Sequence, residues 1–338
     1  KIGNSFEPLE IRRNTQWNLL ADKQFLLSKS LKLMNDLDFS GIQFKPLGDG
    51  PNVNPLMFTG RLIPNSKKLR NIYFQINDNY TALGVVRNAG VFNGPKAQIG
   101  SSQDPLIVEG LEFDLNGQPA TAIGSVAGTV SKADIHARVY QANIHNAGTG
   151  SGSIGGLVGY IEQEAHIADS EFNGSIDVTN ANSVGGLIGS MSGDNLNFLD
   201  IHSSKVSTSR LQGNSTTTGF LIGNVTNSNQ VHIKGNYINV FDTNTDTASF
   251  ISNNAPAINF ERNILHLNDN ISAITSTSGL NPIINNQTRI DQINQQIVND
   301  GYGLILFPRE DDSIQVSLFW EFDQFCGPDG CPETFNDR

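Results

Sequence analysis

The chain has 338 residues and a formal net charge of −11, from 22 Lys and Arg against 33 Asp and Glu. Nucleic acid and anionic membrane both need a basic footprint, so neither is an expected partner; the acidity suits solubility or attraction for cations. Charged residues are only 16% while 33 residues are Gly, a composition of strands and corners rather than of a helical enzyme.

Residues 1–30 stand apart. Asn14 or Thr15 is placed to cap a helix running through Trp17, Leu19 and Leu20 to about Leu27. The segment reads as an N-terminal helical cap, or as a docking surface for a preceding domain. The chain opens at Lys1 rather than Met, which is expected of a processed leader or of a fragment.

Residues 31–270 read as a repeat array. In its first part Leu31, Leu33, Leu37 and Phe39 are strand-like, and Leu69 to Phe74 begins the next turn of chain. Leu83-Gly84-Val85-Val86 is an eroded copy of the phrase that follows, and Gly94 to Pro105 reads as a corner insertion.

That phrase organises the middle of the chain. It is clearest as Gly155-Gly156-Leu157-Val158-Gly159-Tyr160-Ile161, then Gly185 to Met191 and Gly219 to Val225, with weaker copies at Gly124 to Val130 and Ser249 to Ala255. First residues at 124, 155, 185, 219 and 249 give steps of 31, 30, 34 and 30, the signature of stacked repeats. Read as one strand, the phrase sends Val126, Leu157, Leu187, Leu221 and Ile251 inward together with a column of glycines. It leaves Ala127, Val158, Ile188 and Ile222 as an apolar column on the outside, either a contact surface or a tolerated stripe. Each period holds about three short strands joined by Asn-, Gly- and Ser-rich corners. These features predict an all-β fold, a right-handed parallel β-helix of about 30 residues per coil, over an antiparallel sandwich with regular turns.

Residues 155–161, 185–191 and 219–225 resemble the GLUG motif, and 124–130 and 249–255 do so less closely. Leu37-Asp38-Phe39-Ser40-Gly41, Phe44 to Gly48 and Phe58-Thr59-Gly60 resemble the usual lead-in to such arrays. GLUG repeats occur in large bacterial surface proteins and beside some immunoglobulin-A-cleaving metallopeptidases. The resemblance implies a surface-exposed β-solenoid and no catalytic residue.

Residues 271–338 read as a C-terminal cap. Arg289 to Val298 has helical spacing, and Gly303 to Phe307 with Ile314 to Phe322 reads as a hairpin. Phe319, Trp320, Phe322 and Phe325 either close the solenoid end or pack on a second copy. Cys326 and Cys331, the only cysteines, enclose a Pro/Gly turn and predict a disulfide, with a metal site as the alternative.

No phosphate loop, Gly-x-Ser-x-Gly elbow or His-Glu-x-x-His helix is present, and no run of about 18 apolar residues marks a transmembrane helix. Four histidines adjoin an aliphatic residue of the second strand of each repeat: His136, His166, His202 and His232, with Asp134 and Asp200 beside two of them. Facing outward, they could form a stripe that binds a divalent metal or charges near pH 6.5, or simply occupy a position that tolerates polar residues. Asp134, Asp169 and Asp200 recur at related places and are what a carbohydrate-active β-helix enzyme would use, with calcium as the one cofactor considered. Thr243, Thr245 and Thr247, with Thr275 and Thr277, form no coil-after-coil row of the ice-binding kind. The sequence is therefore expected to encode an extracellular or cell-surface bacterial solenoid without catalytic residues. Its expected partners are further copies of itself or surface glycans, with self-association through the solenoid ends.

Overall fold

The structure is a computed structural model. It describes residues 7–50, 55–75, 80–192, 198–213, 218–226, 230–240, 249–251, 258–261, 263–267, 270–274, 280–283, 304–308 and 314–318. The fold is a β-solenoid of about six turns with about 32 residues per turn.

A coil has three strands. In one, Ser151–Gly155 is followed by Val158–Ala168 and then Glu171–Asp177. The coil before uses Ala120–Gly124, Ala127–Ile135 and Ala137–His145. Like strands of successive coils pair in parallel. Among the described residues, third strands form a 10-stranded sheet; first and second strands belong to one of 17 strands.

Register explains the spacing of the aliphatics. Ile135, Ile167, Ile201 and Ile233 are successive partners, as are Val108, Val139, Phe172, Val206 and Ile238. All are fully buried. Burying such a side chain is worth roughly 1.5–3 kcal/mol over leaving it exposed, and each coil seals its neighbours in this way.

In the copies at 124, 155 and 185 the phrase is a corner rather than one strand, whereas the copy at 219 lies within the strand Thr218–Thr226. A strand ends at Gly155, the chain bends at Gly156 and Leu157, and a new strand starts at Val158. The bend resets the alternation, so Leu157 and Val158 are both fully buried. The expected outer apolar column of Ala127, Val158, Ile188 and Ile222 is instead part of the core. A register shift between Gly219 and Ile222 places Ile251 beside Ile222, not in the Leu221 column. Gly159 is required by backbone approach: a Cβ there would come within 2.4 Å of Ile123 N and 2.7 Å of Gly128 O.

The expected insertion is also different. Ala97–Ile99 is a coil strand, paired in parallel with Arg61–Leu62 and Ala133–Ile135. The extra chain is split around it. Eight positions separate Ala89 from Ala97 where three separate Val130 from Ala133, and seven separate Ile99 from Leu106 where two separate Ile135 from Ala137.

At the N-terminus the helix is broken into Asn14–Leu20 and Gln24–Leu27. Arg13, not Asn14 or Thr15, occupies the cap position, with no side-chain cap bond. Asn14 Nδ2 instead donates to Asp38 O at 2.8 Å, and Gln16 Oε1 accepts from Arg12 N–H at 2.7 Å. Trp17 is buried against Phe39 and Phe44, its Nε1 donating to Lys45 O. Leu9–Ile11, ahead of the helix, already pairs with Leu31–Leu33.

Parallel stacking continues to Asn263–Leu267, onto which Asn270–Ile274 and then Leu280–Ile283 add antiparallel. Leu304–Pro308 and Ile314–Leu318 form an antiparallel hairpin. The expected helix at 289–298, the aromatic cluster from Phe319 to Phe325 and the Cys326–Cys331 pair lie outside the described residues. Among the described residues no helix is long and apolar enough to cross a membrane.

Candidate functional site

The corner between second and third strands carries a close group of titratable side chains. Its backbone follows a rule. Asp169, Ser203 and Gly235 take left-handed conformations, with φ of 50°, 50° and 58°, and Ser170, Ser204 and Asn236 follow them. These three and Asn263 form a buried ladder. Ser170 Oγ accepts from Ala137 N–H, Ser204 Oγ from Ser170 N–H, Asn236 Oδ1 from Ser204 N–H and Asn263 Oδ1 from Asn236 N–H. Every rung thus satisfies a backbone group that the corner would otherwise bury unpaired. A Ser or Asn at the start of the third strand or one residue before it, at 170, 204, 236 and 263, was the sequence signal for this ladder.

Just outside it stand the histidines, in two columns rather than one. Asp134, His166, Asp200 and His232 are successive register partners. His202 belongs to the next column, between Ala168 and Lys234. His136 lies in a corner one residue shorter, because Ile135 and Arg138 pair with Ile167 and Glu171. Strands lie about 4.8 Å apart, so neighbours from both columns meet. The His136 and His166 ring centroids are 6.2 Å apart, and those of His166 and His202 are 4.8 Å apart.

Asp200 is the centre of the group. Its Oδ2 lies 2.9 Å from His166 Nδ1 and 3.2 Å from His202 Nδ1. Burial alone would raise the Asp200 pKa, but hydrogen bonds from His166 and His202 outweigh it and hold the carboxyl well below its usual range. The bond to Asp200 in turn raises the pKa of His166 against the opposing effect of burial. His136 behaves oppositely: burial, then the nearby His166, lowers it to about 4. Its Nδ1 is 3.8 Å from Asp169 Oδ2 and has no hydrogen-bond partner among the described residues. Burial raises the Asp169 carboxyl.

Two of the predicted residues are drawn elsewhere. Asp134 Oδ1 pairs with Lys96 Nζ at 2.7 Å, and Lys96 also reaches Glu164 Oε1 at 2.9 Å. Lys96 comes from the extra chain before Ala97, a partner the sequence reading missed. His232 packs against Phe198 in a T-shaped pair, ring centroids 5.7 Å apart. Also missed was Glu171, nearly buried, which pairs with Lys205 Nζ at 2.9 Å and accepts from Tyr140 Oη at 3.1 Å. An open polar cleft of about 500 Å³ lies at a different corner, lined among others by Asn116, His145, Asn146, Asp177 and Asn180.

The geometry thus brings His166, Asp200 and His202 into a set whose ligand atoms all lie within 4.8 Å of one another. No family model and no curated protein matches this sequence. Among solved structures the chain is similar to one from Bacteroides ovatus described as a candidate immunoglobulin A1 protease. The identity is 14% and the TM-score 0.43, over 92% of this chain and 93% of that one.

Proposed function

We propose that this chain is a non-enzymatic β-solenoid that works by binding, in adhesion or surface assembly outside a bacterial cell. The observation that supports this reading is the state of Asp134 and Asp200, two of the three carboxylates a hydrolase or lyase would need. Asp134 is ion-paired with Lys96, and Asp200 is shared by two histidines. On the third-strand sheet Glu109 is held between Lys68 and Arg70, and Glu171 by Lys205. Apart from Asp200–His202, which lies within one strand, these contacts run between coils and knit them together. A glycosidase instead sets two carboxyls on either side of a bond, roughly 5–10 Å apart, with one kept protonated. The likeness of the phrase to GLUG repeats supports a cell-surface setting, and the repeated outward columns suit many weak contacts with a glycan or a second copy.

The test is a polysaccharide panel, with and without calcium, read by reducing ends and by ultraviolet absorbance of unsaturated products. It is run beside glycan retention and sedimentation at several protein concentrations. Retention or self-association without turnover is expected. Sustained product formation that disappears in Asp169→Ala or Asp200→Ala overturns the reading in favour of a carbohydrate-active enzyme.

A further inference from the structure

We propose that His166, Asp200 and His202 form a binding site for a divalent transition-metal ion of the zinc class. The proposal is independent of what the solenoid adheres to. It rests first on geometry. A tetrahedral centre with metal–ligand bonds of about 2.0–2.1 Å sets its ligand atoms about 3.3 Å apart. Here Asp200 Oδ2 is 2.9 Å from His166 Nδ1 and 3.2 Å from His202 Nδ1, and all three ligand atoms lie within 4.8 Å of one another, so the two separations from the carboxylate already approach those of such a centre.

Chemistry selects the ion. Two imidazoles and one carboxylate are a borderline donor set suited to zinc, nickel or copper. Calcium takes six to eight oxygens and magnesium six, and this group offers too few. Three protein ligands leave a fourth position for water or for a donor on a bound partner. His166, Asp200 and His202 are 30%, 18% and 30% exposed at their side chains, so that position opens to solvent.

The support is rigid. His166 sits on Val158–Ala168, and Asp200 and His202 sit on Phe198–His202, two strands paired in parallel over five registered positions. The aliphatics between the ligands, Ile167 and Ile201, are fully buried, and the Ser170–Ser204 ladder fixes the corner beside them. Little order remains to be imposed on binding. Lys96, beside His166, is paired with Asp134 and Glu164, so it does not face the ion as a lone cation.

The experiment uses the full chain, stripped with a chelator, and Zn²⁺ as the probe. Calorimetry is expected to give one strong site, thermal melting is expected to shift upward with added Zn²⁺, and Co²⁺ is expected to give the intense visible absorption of a tetrahedral site. The comparison is made in a Cys326→Ser/Cys331→Ser background, since thiolates also bind zinc. Asp200→Asn and His202→Gln are each expected to weaken binding at least about tenfold, while His232→Gln leaves it unchanged. Nitrogen-15 spectra of the unmutated chain give a reading that needs no substitution at the site: the imidazole signals of His166 and His202 should change together, saturating at one equivalent. Failure of those two signals to respond to Zn²⁺, or binding undiminished in both Asp200→Asn and His202→Gln, overturns the proposal.

Discussion

His166 and Asp200 are register partners on successive coils, and their side chains meet at 2.9 Å, Nδ1 to Oδ2. The contact exists because parallel in-register stacking turns a step of one coil into a neighbour about 4.8 Å away. The same stacking makes the stability of the cluster measurable.

The acid response of the fold should carry a His136 component. His136 is held at about 4, below the usual 6.5, with His166, His202, Asp134 and Asp169 around it. Between those values the unfolded chain takes up a proton that the folded chain refuses, so stability falls as pH drops from about 6.5 toward 4. The full effect is roughly 2–3 kcal/mol after allowing for partial exposure. His166, raised by Asp200, acts in the opposite sense: its contribution is present below pH 6.5 and is lost as pH rises through its folded value. Melting curves of metal-free parent and His136→Gln at pH 7 and pH 4.5 separate the two. The difference between the proteins should shift toward the variant at the lower pH; a constant difference contradicts the assignment.

Leu187→Asp and Ile188→Asp should be equally damaging. Both side chains are fully buried, Leu187 in the bend and Ile188 at the start of the strand after it, and each substitution places a charge in the core at a cost of several kcal/mol. Single-strand alternation would have Ile188→Asp tolerated. Circular dichroism melts decide it, and an unchanged midpoint for Ile188→Asp would restore the single-strand phase.

Gly159→Ala should destabilise by about 1–3 kcal/mol or more although it adds only a methyl group. The new carbon would meet backbone atoms, Ile123 N at 2.4 Å and Gly128 O at 2.7 Å, and backbone cannot rotate aside. Chemical denaturation midpoints test this; parity with the parent would mean the strands are further apart than described.

Asn236→Ala should cost roughly 2–4 kcal/mol. It would leave Ser204 N–H and Ile201 C=O unpaired and remove a partner of Asn263. Asn236→Ser should recover part of the loss, because Ser204 and Ser170 fill the same place in the coils before it. Hydrogen exchange at Ser204 N–H provides a local reading, expected to accelerate in the Ala variant and less in the Ser variant.

The sequence alone determined the solenoid. Each coil contacts mainly its neighbours, so the demands of stacking repeat along the chain as steps of 30 to 34 residues in the clear copies, and aliphatic columns such as Ile135, Ile167 and Ile201 could be read without coordinates. It also marked the histidines and Asp134 and Asp200 as outward residues near one another. Tertiary structure decided the rest, because corners differ by single residues. The bend at Gly156 and Leu157 reverses which face Val158 serves, and the register puts His166 and His232 in one column and His202 in another, so a supposed stripe is two. Lys96 stands one residue before Ala97, the register partner of Ala133, and from there reaches Asp134. A repeat fixes the spacing between coils, whereas the length and conformation of each corner fix which side chains can touch. That second quantity has no period to read.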